Sequence, residues 1–225
     1  MIDLSPIWLT LKLALLTTLI LLVIAIPLAY WLAYSRFRLK AVAEALVSLP
    51  LVLPPTVLGF YLLLAFSPEN AFGHFLDRYF DTRLAFTFQG IVFASLIYSL
   101  PFMVQPIRSG FRSLPPSLKE AAYTLGVSRT GTLFRVLLPN IRSSLLTGIV
   151  LCFAHTIGEF GVVLMVGGNI PGQTRVVSLA VYDEVQSMNY HNAGVYAGIL
   201  LVFSFCILLG VYLVRPPFDK DNLTP

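Results

Sequence analysis

Long uncharged runs of apolar residues are the dominant pattern along this chain. Runs without any charged residue cover positions 13–35, 45–68, 84–107 and 185–214, and a further run over 143–174 is interrupted only by Glu159. A helix that crosses a membrane needs about 20 mostly apolar residues. The pattern therefore predicts five membrane-spanning helices, at about 13–34, 46–66, 86–106, 143–165 and 194–214.

The composition favours a membrane protein over the soluble classes. Hydrophobic residues make up 57% of the 225 residues and charged residues only 12%, whereas a soluble domain carries about 25% charged residues. The mean hydropathy is +0.82. We therefore predict an all-α polytopic membrane protein that contacts lipid and no nucleic acid. The 3 histidines and 2 cysteines do not have the spacing of metal ligands, so we expect no metal.

Lysine and arginine are distributed unevenly between the two sides of the predicted spans. If the N-terminus lies outside, 11 of the 15 basic residues fall on the inner side and 4 on the outer side. Basic residues accumulate in cytoplasmic loops. We therefore predict a multi-pass protein of the cytoplasmic (inner) membrane with its N-terminus outside. Residues 215–225 would form a short cytoplasmic tail.

Prolines are concentrated in two of the predicted spans. The second span contains Pro50, Pro54 and Pro55, and the third contains Pro101 and Pro106. Proline removes a backbone donor and kinks or interrupts a helix, and broken backbone at membrane depth is tolerated where it is buried in protein or lines a wet cavity. We interpret both spans as broken and as part of a transport pathway. The alternative is a pair of ordinary kinked helices.

The loop between the third and fourth spans, residues 108–142, has the sequence of a structured element. It contains six basic residues and one acid. Ser117 and Glu120 have the spacing of a capping box at the start of a short helix, and Gly126 is placed to end that helix in the left-handed conformation. A second short helix is expected near 130–138, before Pro139. Ala121 and Ala122 would give the first helix a shallow side, which favours a docking element.

This loop resembles the EAA loop of type I ABC importer permeases. Glu120 is followed directly by Ala121 and Ala122, Gly126 comes six residues after Glu120, and Leu138 and Pro139 come 18 and 19 residues after it. Val136 stands where the family pattern usually has isoleucine. In that family the loop is a coupling helix that sits in a groove of a cytoplasmic ATPase subunit. The resemblance implies that the coupling residues are Glu120, Ala121, Ala122, Gly126, Leu138 and Pro139.

Three further segments look like the molybdate branch of this family: residues 49–55, 158–161 and 169–175. Sulfate/thiosulfate and tungstate permeases share parts of the same pattern and remain alternatives. The resemblance covers residues 8–214 and implies the type I ABC importer transmembrane domain. It also implies a second copy of the chain, a dimer of cytoplasmic ATP-binding subunits and an external molybdate-binding protein.

The chain lacks the GxxxxGK[ST] phosphate-binding loop, so we expect it to bind no cofactor and to leave ATP hydrolysis to the partner subunit. A passive anion channel and an intramembrane enzyme are the alternatives from other classes. The enzyme would need a nucleophile or metal cluster beside Glu159 or His155, and none is visible. Hydroxyl and amide side chains within the spans are candidates for the anion route: Thr17, Thr18, Ser48, Thr56, Ser95, Ser99, Gln105 and Thr147.

Glu159 is the one acidic residue within a predicted span. A buried charge in a membrane is costly unless it is paired or hydrated. We predict that it lies near the outer boundary, either as a gate or interhelical contact, together with Pro54 and Pro55, or as an interfacial carboxylate capped by nearby backbone. A carboxylate is a poor ligand for an anion because like charges repel.

Overall fold

The computed structural model describes residues 3–214, and every regular element in that part of the chain is helical. The order is α1 (Ser5–Tyr34), α2 (Lys40–Ser48) with a 3-10 turn (Leu49–Leu51), α3 (Pro55–Phe66), α4 (Ala71–Phe80), α5 (Phe88–Ser113), α6 (Pro116–Thr124), α7 (Arg129–Gly131), a π-helical segment (Thr132–Leu137), α8 (Leu138–Asn140), α9 (Arg142–Ile157), α10 (Gly161–Gly167), α11 (Val177–Gln186) and α12 (Tyr190–Val214). The predicted all-α class is confirmed. The predicted tail, residues 215–225, lies outside the described residues.

Within the described part of the chain, three helices, α1, α5 and α12, are long and apolar enough to cross a membrane without interruption. Two further spans are bent. Lys40–Leu51 and Pro55–Phe66 meet at 110°, and Arg129–Asn140 and Arg142–Ile157 meet at 79°. Counting each bent pair as one span gives up to five, in agreement with the number predicted from the sequence. The second predicted span is broken at its prolines, as expected.

The third predicted span is not broken, and here the proline interpretation was wrong. Helix α5 runs continuously through Pro101 and Pro106 to Ser113. Proline fixes φ close to the helical value and removes one donor. Helix α5 packs against α1 and α9 on both sides, and this packing compensates for the backbone hydrogen bonds that the two prolines remove. The loop that we placed at 108–142 therefore begins only after Ser113.

Helix α5 is the centre of the molecule, and two apolar clusters are arranged along it. One cluster joins its first half to α3 and α10, and the other joins its second half to α1 and α9. The close approach of α5 and α9 depends on Gly110, since a methyl group there would lie 2.7 Å from Ser144 Cβ. Large apolar side chains remain exposed along α1 and α12, as expected where lipid covers the protein.

Helices α1 and α5 finish at the same end of the molecule, where α9 begins. We call this the basic end. The Tyr34 hydroxyl donates a hydrogen bond of 2.9 Å to the Phe111 carbonyl. Glu44 of α2 accepts from Arg108 at 2.5 Å and lies 3.5 Å from Arg112, both of α5. These contacts fasten α2 and α1 to the last turns of α5.

The opposite end carries fewer basic groups, and most of them are paired within the chain. Arg175 lies 3.0 Å from Asp183, Arg83 lies 3.0 Å from Asp77, and the Lys12 ammonium lies 4.6 Å from the centre of the Phe88 ring. Within residues 3–214, the structure thus divides the basic residues between two ends in the way that the sequence analysis divided them between two sides.

Candidate functional site

Helix α6 begins differently from the sequence prediction. Its first residue is Pro116, its N-cap is Pro115, and no side chain caps it. The predicted capping box of Ser117 and Glu120 is therefore wrong. Proline is favoured at the first helical position because its φ is already helical and its missing N–H would have no partner there. Because the helix begins at Pro116, Ser117 lies inside its first turn and not at the cap position.

The end of α6 is a Schellman motif centred on Gly126, which has φ +74°. The Val127 N–H donates to the Ala122 carbonyl at 3.0 Å, and the Gly126 N–H donates to the Tyr123 carbonyl at 3.0 Å. Other residues adopt this φ only with strain. Gly126 has the left-handed conformation that we predicted, and it sets the direction of the chain after the helix.

A second helical segment follows over 129–140, somewhat longer than the predicted 130–138. Ser128 caps it by accepting a 3.1 Å hydrogen bond from the Gly131 N–H. This cap was missed in the sequence analysis, although a serine directly before a helix is its usual signal. The segment includes the π-helical residues and ends in α8, where Leu138 is half-buried and Pro139 is exposed. A bend of 79° then leads into α9.

The two alanines of the motif face different surroundings. Ala122 is only 5% exposed and lies on the side of α6 that packs on its own chain, next to the half-buried Leu118. Ala121 and Glu120 are exposed, as is Leu125 after the helix. The prediction that both alanines form one shallow docking side was therefore wrong for Ala122. Of the motif and the residues next to it, Glu120, Ala121 and Leu125 are therefore accessible from outside the chain.

Lys119 connects α6 to the end of α1. Its ammonium group lies 4.3 Å from the centre of the Tyr34 ring, 5.3 Å from that of Tyr30 and 5.8 Å from that of Tyr123. Burial, followed by a hydrogen bond with Tyr30, raises the pKa of Tyr123. The sequence analysis missed this cluster. Its only signal was the four-residue spacing of Tyr30 with Tyr34 and of Lys119 with Tyr123.

The turn between α6 and α7 borders an open cavity of ≈ 660 Å³. Its lining combines backbone of the turn with one exposed aromatic ring and one basic side chain: Gly126, Val127, Ser128, Thr130, Gly131, Phe134 and Arg135. Phe134 is 61% exposed. A concave surface with an exposed aromatic anchor is typical of a protein-docking site.

Glu159 lies in the short connection between α9 and α10, at the other end of α9 from the 79° bend, instead of within a continuous helix. Helix α9 ends at Ile157 and α10 begins at Gly161. The Glu159 carboxylate is buried and accepts a 2.8 Å hydrogen bond from the Val162 N–H. Its backbone carbonyl accepts a 2.6 Å hydrogen bond from the Ser178 hydroxyl of α11. The side chain thus satisfies the first turn of α10, where negative charge is favourable.

The break in the second span lies against the connection between α9 and α10. A methyl group on Gly161 would lie 2.7 Å from Pro55 Cβ, and one on Gly59 would lie 2.8 Å from Met165 Cβ. Helix α3 therefore packs closely against α10 directly after Pro54 and Pro55. The structure brings Pro55 and the residues that follow Glu159 together. We call Pro54, Pro55, Glu159 and Gly161 the hinge site.

The polar candidates for the anion route differ in accessibility. Those on α1 and on the first half of α5 are buried among their neighbours: Thr17, Thr18, Ser95 and Ser99. Gln105 donates to Ser48 at 2.8 Å. Thr56 is exposed and lies beside the hinge site. The four buried hydroxyls therefore do not line a surface of this chain, whereas Thr56 does.

His155 packs between aromatic rings. Its ring stacks on Phe102 with 3.8 Å between centroids and lies 4.7 Å from the Tyr98 ring. Among the described residues, 3–214, no group of three or more His, Cys, Asp or Glu side chains is arranged to hold a metal ion.

The sequence matches, over residues 25–215, the family described as "Binding-protein-dependent transport system inner membrane component". It is 48% identical to the molybdenum transport system permease protein ModB of Azotobacter vinelandii over 95% of this chain and 94% of that protein. It is 36% identical to the Escherichia coli K12 protein of the same name over 83% of each chain. It is also 33% identical to the sulfate transport system permease protein CysT of Salmonella typhimurium, over 88% of this chain and 71% of that protein.

Two solved structures have the same fold. A bacterial ABC transporter involved in alginate import aligns with a TM-score of 0.78 and 20% identity over 96% of this chain and 80% of that one. The MetNI methionine ABC transporter, in an inward-facing conformation, aligns with a TM-score of 0.71 and 16% identity over 93% and 92%. The fold is thus that of type I ABC importer transmembrane domains.

Proposed function

Because the chain belongs to the family of inner membrane components of binding-protein-dependent transport systems, we propose that it is the membrane subunit of an ATP-driven molybdate importer. Two copies of the chain enclose the route across the cytoplasmic membrane. A pair of ATP-binding subunits docks on the basic end, which faces the cytoplasm, and an external molybdate-binding protein docks on the opposite end. The chain binds no cofactor, and the partner subunit hydrolyses ATP.

The observation that carries this proposal is the 48% identity to a molybdenum permease across 95% of the chain. Relatives described as sulfate permeases are 33% and 32% identical and are covered over only 71% of their length. The difference favours molybdate over sulfate as the transported anion. Both anions are tetrahedral dianions, and permeases described for either one are relatives of this chain.

The geometry of the basic end supports a coupling role for the loop from Leu114 to Asn140. Helix α6 is fixed at both ends, by Pro116 at its start and by the Schellman motif at its end. A rigid segment transmits a displacement that a slack loop would absorb. The segment joins α5 on one side and α9 on the other, so a push on Glu120, Ala121 and Leu125 acts on both helices.

The hinge site supports a gate near the opposite end. The chain is interrupted directly before α3 and again between α9 and α10. Helices α3 and α10, which follow these two interruptions, pack on each other. We propose that they move as one unit about Pro54, Pro55 and the residues around Glu159. The exposed Thr56 at this point is our candidate for contact with the anion, since a hydroxyl binds an oxyanion weakly enough to release it.

The experiment is transport by the reconstituted complex of this chain, its ATPase and its binding protein in liposomes. We expect ATP-dependent accumulation of radioactive molybdate, inhibited by excess tungstate and much less by excess sulfate. ATP-dependent accumulation of sulfate with no molybdate uptake would establish the sulfate alternative. Molybdate flux that needs neither ATP nor binding protein would indicate a passive channel and contradict the proposal.

A further inference from the structure

The basic end contains a cation surrounded by aromatic rings, and it joins two elements that the chain order keeps far apart. Lys119 belongs to α6, whereas Tyr30 and Tyr34 belong to the last turns of α1. The ammonium lies within 6 Å of three ring centres, with Tyr34 the closest at 4.3 Å. A cation within about 6 Å of an aromatic face is attracted by the ring quadrupole.

The rings themselves are fixed to a third helix. The Tyr34 hydroxyl donates to the Phe111 carbonyl of α5 at 2.9 Å, and the Tyr30 ring meets the Phe111 ring edge-on at 5.6 Å. Phe111 is fully buried. Lys119 therefore contacts a rigid aromatic cluster that belongs to α1 and α5. We call these four residues, together with Tyr123 of α6, the tyrosine cage.

The cage supplies a connection that the backbone does not. Helix α6 is joined through the chain to α5 before it and to the 129–140 segment after it, and it packs mainly on the π-helical part of that segment. Helix α1 ends at Tyr34, more than 80 positions before α6 begins at Pro116. Without the cage, a displacement of α6 would act on α5 and α9 and would reach α1 only indirectly.

We propose that Lys119 is a positioning residue for transport, which makes α1 move together with α6 when the ATPase subunits close. This inference rests on the proposed function for its consequence, but the cage itself does not depend on which anion is carried. In the importer, α1 contacts both α5 and α9 along its length. A displacement shared by α1 and α6 therefore keeps the three helices in register while the route opens.

The test uses the complete transporter with Lys119→Met, which keeps the length of the side chain and removes its charge. We expect normal membrane levels, continued ATP hydrolysis, and a fall of about fivefold or more in anion transported per ATP hydrolysed. Lys119→Arg should restore most of the coupling because a guanidinium also stacks on aromatic rings. A purely structural loss would lower uptake and hydrolysis together and leave their ratio unchanged.

The matched control is Lys12→Met. Lys12 makes a similar contact, 4.6 Å from the Phe88 ring, at the other end of α1. We expect this variant to keep the wild-type ratio of uptake to hydrolysis. If Lys119→Met also keeps that ratio, or if Lys12→Met lowers it equally, the proposed role of Lys119 is overturned.

A second measurement separates this inference from the identity of the anion. Spin labels at Trp31→Cys on α1 and Thr124→Cys on α6 report the distance between the two helices in a variant without the native cysteines. We expect the distance to stay the same with and without ATP when Lys119 is present, and to change with ATP in Lys119→Met. Failure of molybdate uptake would overturn the proposed function alone, since the labels would still decide whether α1 and α6 move together.

Discussion

At the scale of single residues, Gly126 is the position where conformation matters most for the proposed coupling. Its φ is +74°, and no atom lies within 4 Å of the position that a Cβ would take, so substitution causes strain without a clash. We expect Gly126→Ala to cost about 1 kcal/mol of stability and to reduce uptake severalfold. Gly126→Pro cannot adopt this φ and also loses its N–H bond to Tyr123, so it should abolish uptake while membrane levels stay normal.

Gly172 provides the control for this prediction. It has φ +72°, it is equally open, and it lies at the opposite end of the molecule. Gly172→Ala should show the same modest loss of stability, measured by thermal unfolding in detergent, without a loss of ATPase binding. Equal loss of ATPase binding in both alanine variants would assign the effect to stability and not to the turn after α6.

Glu159 allows a test of what a buried carboxylate does in the membrane. Its oxygen accepts the Val162 N–H, and Val162 is fully buried, so water cannot replace the lost acceptor. Glu159→Leu should therefore lower the free energy of unfolding by about 1–3 kcal/mol. Glu159→Gln retains an acceptor oxygen and loses only the interaction of the charge with the first turn of α10, so it should cost about 1 kcal/mol or less. Equal destabilisation by both changes would mean that the charge matters and the hydrogen bond does not.

At the scale of elements, α6 has one face for its own chain and one for a partner. Ala122 is buried and Ala121 is exposed. Ala122→Leu should overpack its site and cost about 1–3 kcal/mol, whereas Ala121→Leu should leave the melting temperature unchanged and weaken co-purification of the ATPase. The reverse pattern would show that the docking face lies on the other side of the helix.

The charge on the exposed face is tested by Glu120→Lys. We expect normal insertion and a loss of uptake, because the carboxylate lies on the surface that we propose as the docking site of the ATPase. Glu69→Lys reverses another exposed glutamate, which lies between α3 and α4, and should have no effect on ATPase co-purification. Wild-type uptake from Glu120→Lys would remove the main support for the coupling role of this loop.

The sequence predicted elements well where local chemistry decided their form, and poorly where packing did. Gly126 and the double proline at Pro54 and Pro55 act on the backbone directly, so the left-handed turn and the broken second span were predictable. Pro101 and Pro106 resemble helix breakers equally well, but burial of α5 between neighbouring helices overrides them. The burial of Ala122 and the aromatic rings around Lys119 depend on helices distant in sequence. The spacing of apolar residues along the chain does not predict which distant helices will come into contact.

At the scale of the whole molecule, the number of spans followed from apolar length, but their shapes did not. A run of uncharged residues does not indicate which helices will contact each other. The contact between Pro55 at the start of α3 and Gly161 at the start of α10 could therefore be found only in the structure. The division of basic residues between the two ends, unlike the contacts between helices, could be predicted from the sequence. It was visible in the sequence because basic residues are placed relative to the membrane and not relative to neighbouring helices.

This division of charge leads to a test of orientation. Asn70 lies directly before α4 near the sparsely charged end, Ser128 lies in the turn after α6 at the basic end, and both are exposed. After replacement of Cys152 and Cys206, a cysteine at Asn70 should react with a membrane-impermeant thiol reagent added outside intact cells. A cysteine at Ser128 should react only after the membrane is opened. The two positions lie at opposite ends of one packed bundle. The reverse labelling pattern would therefore mean that every span has the orientation opposite to the predicted one. It would place α6 outside the cell, where no ATP-binding subunit could reach it, and would refute the coupling role proposed for this loop.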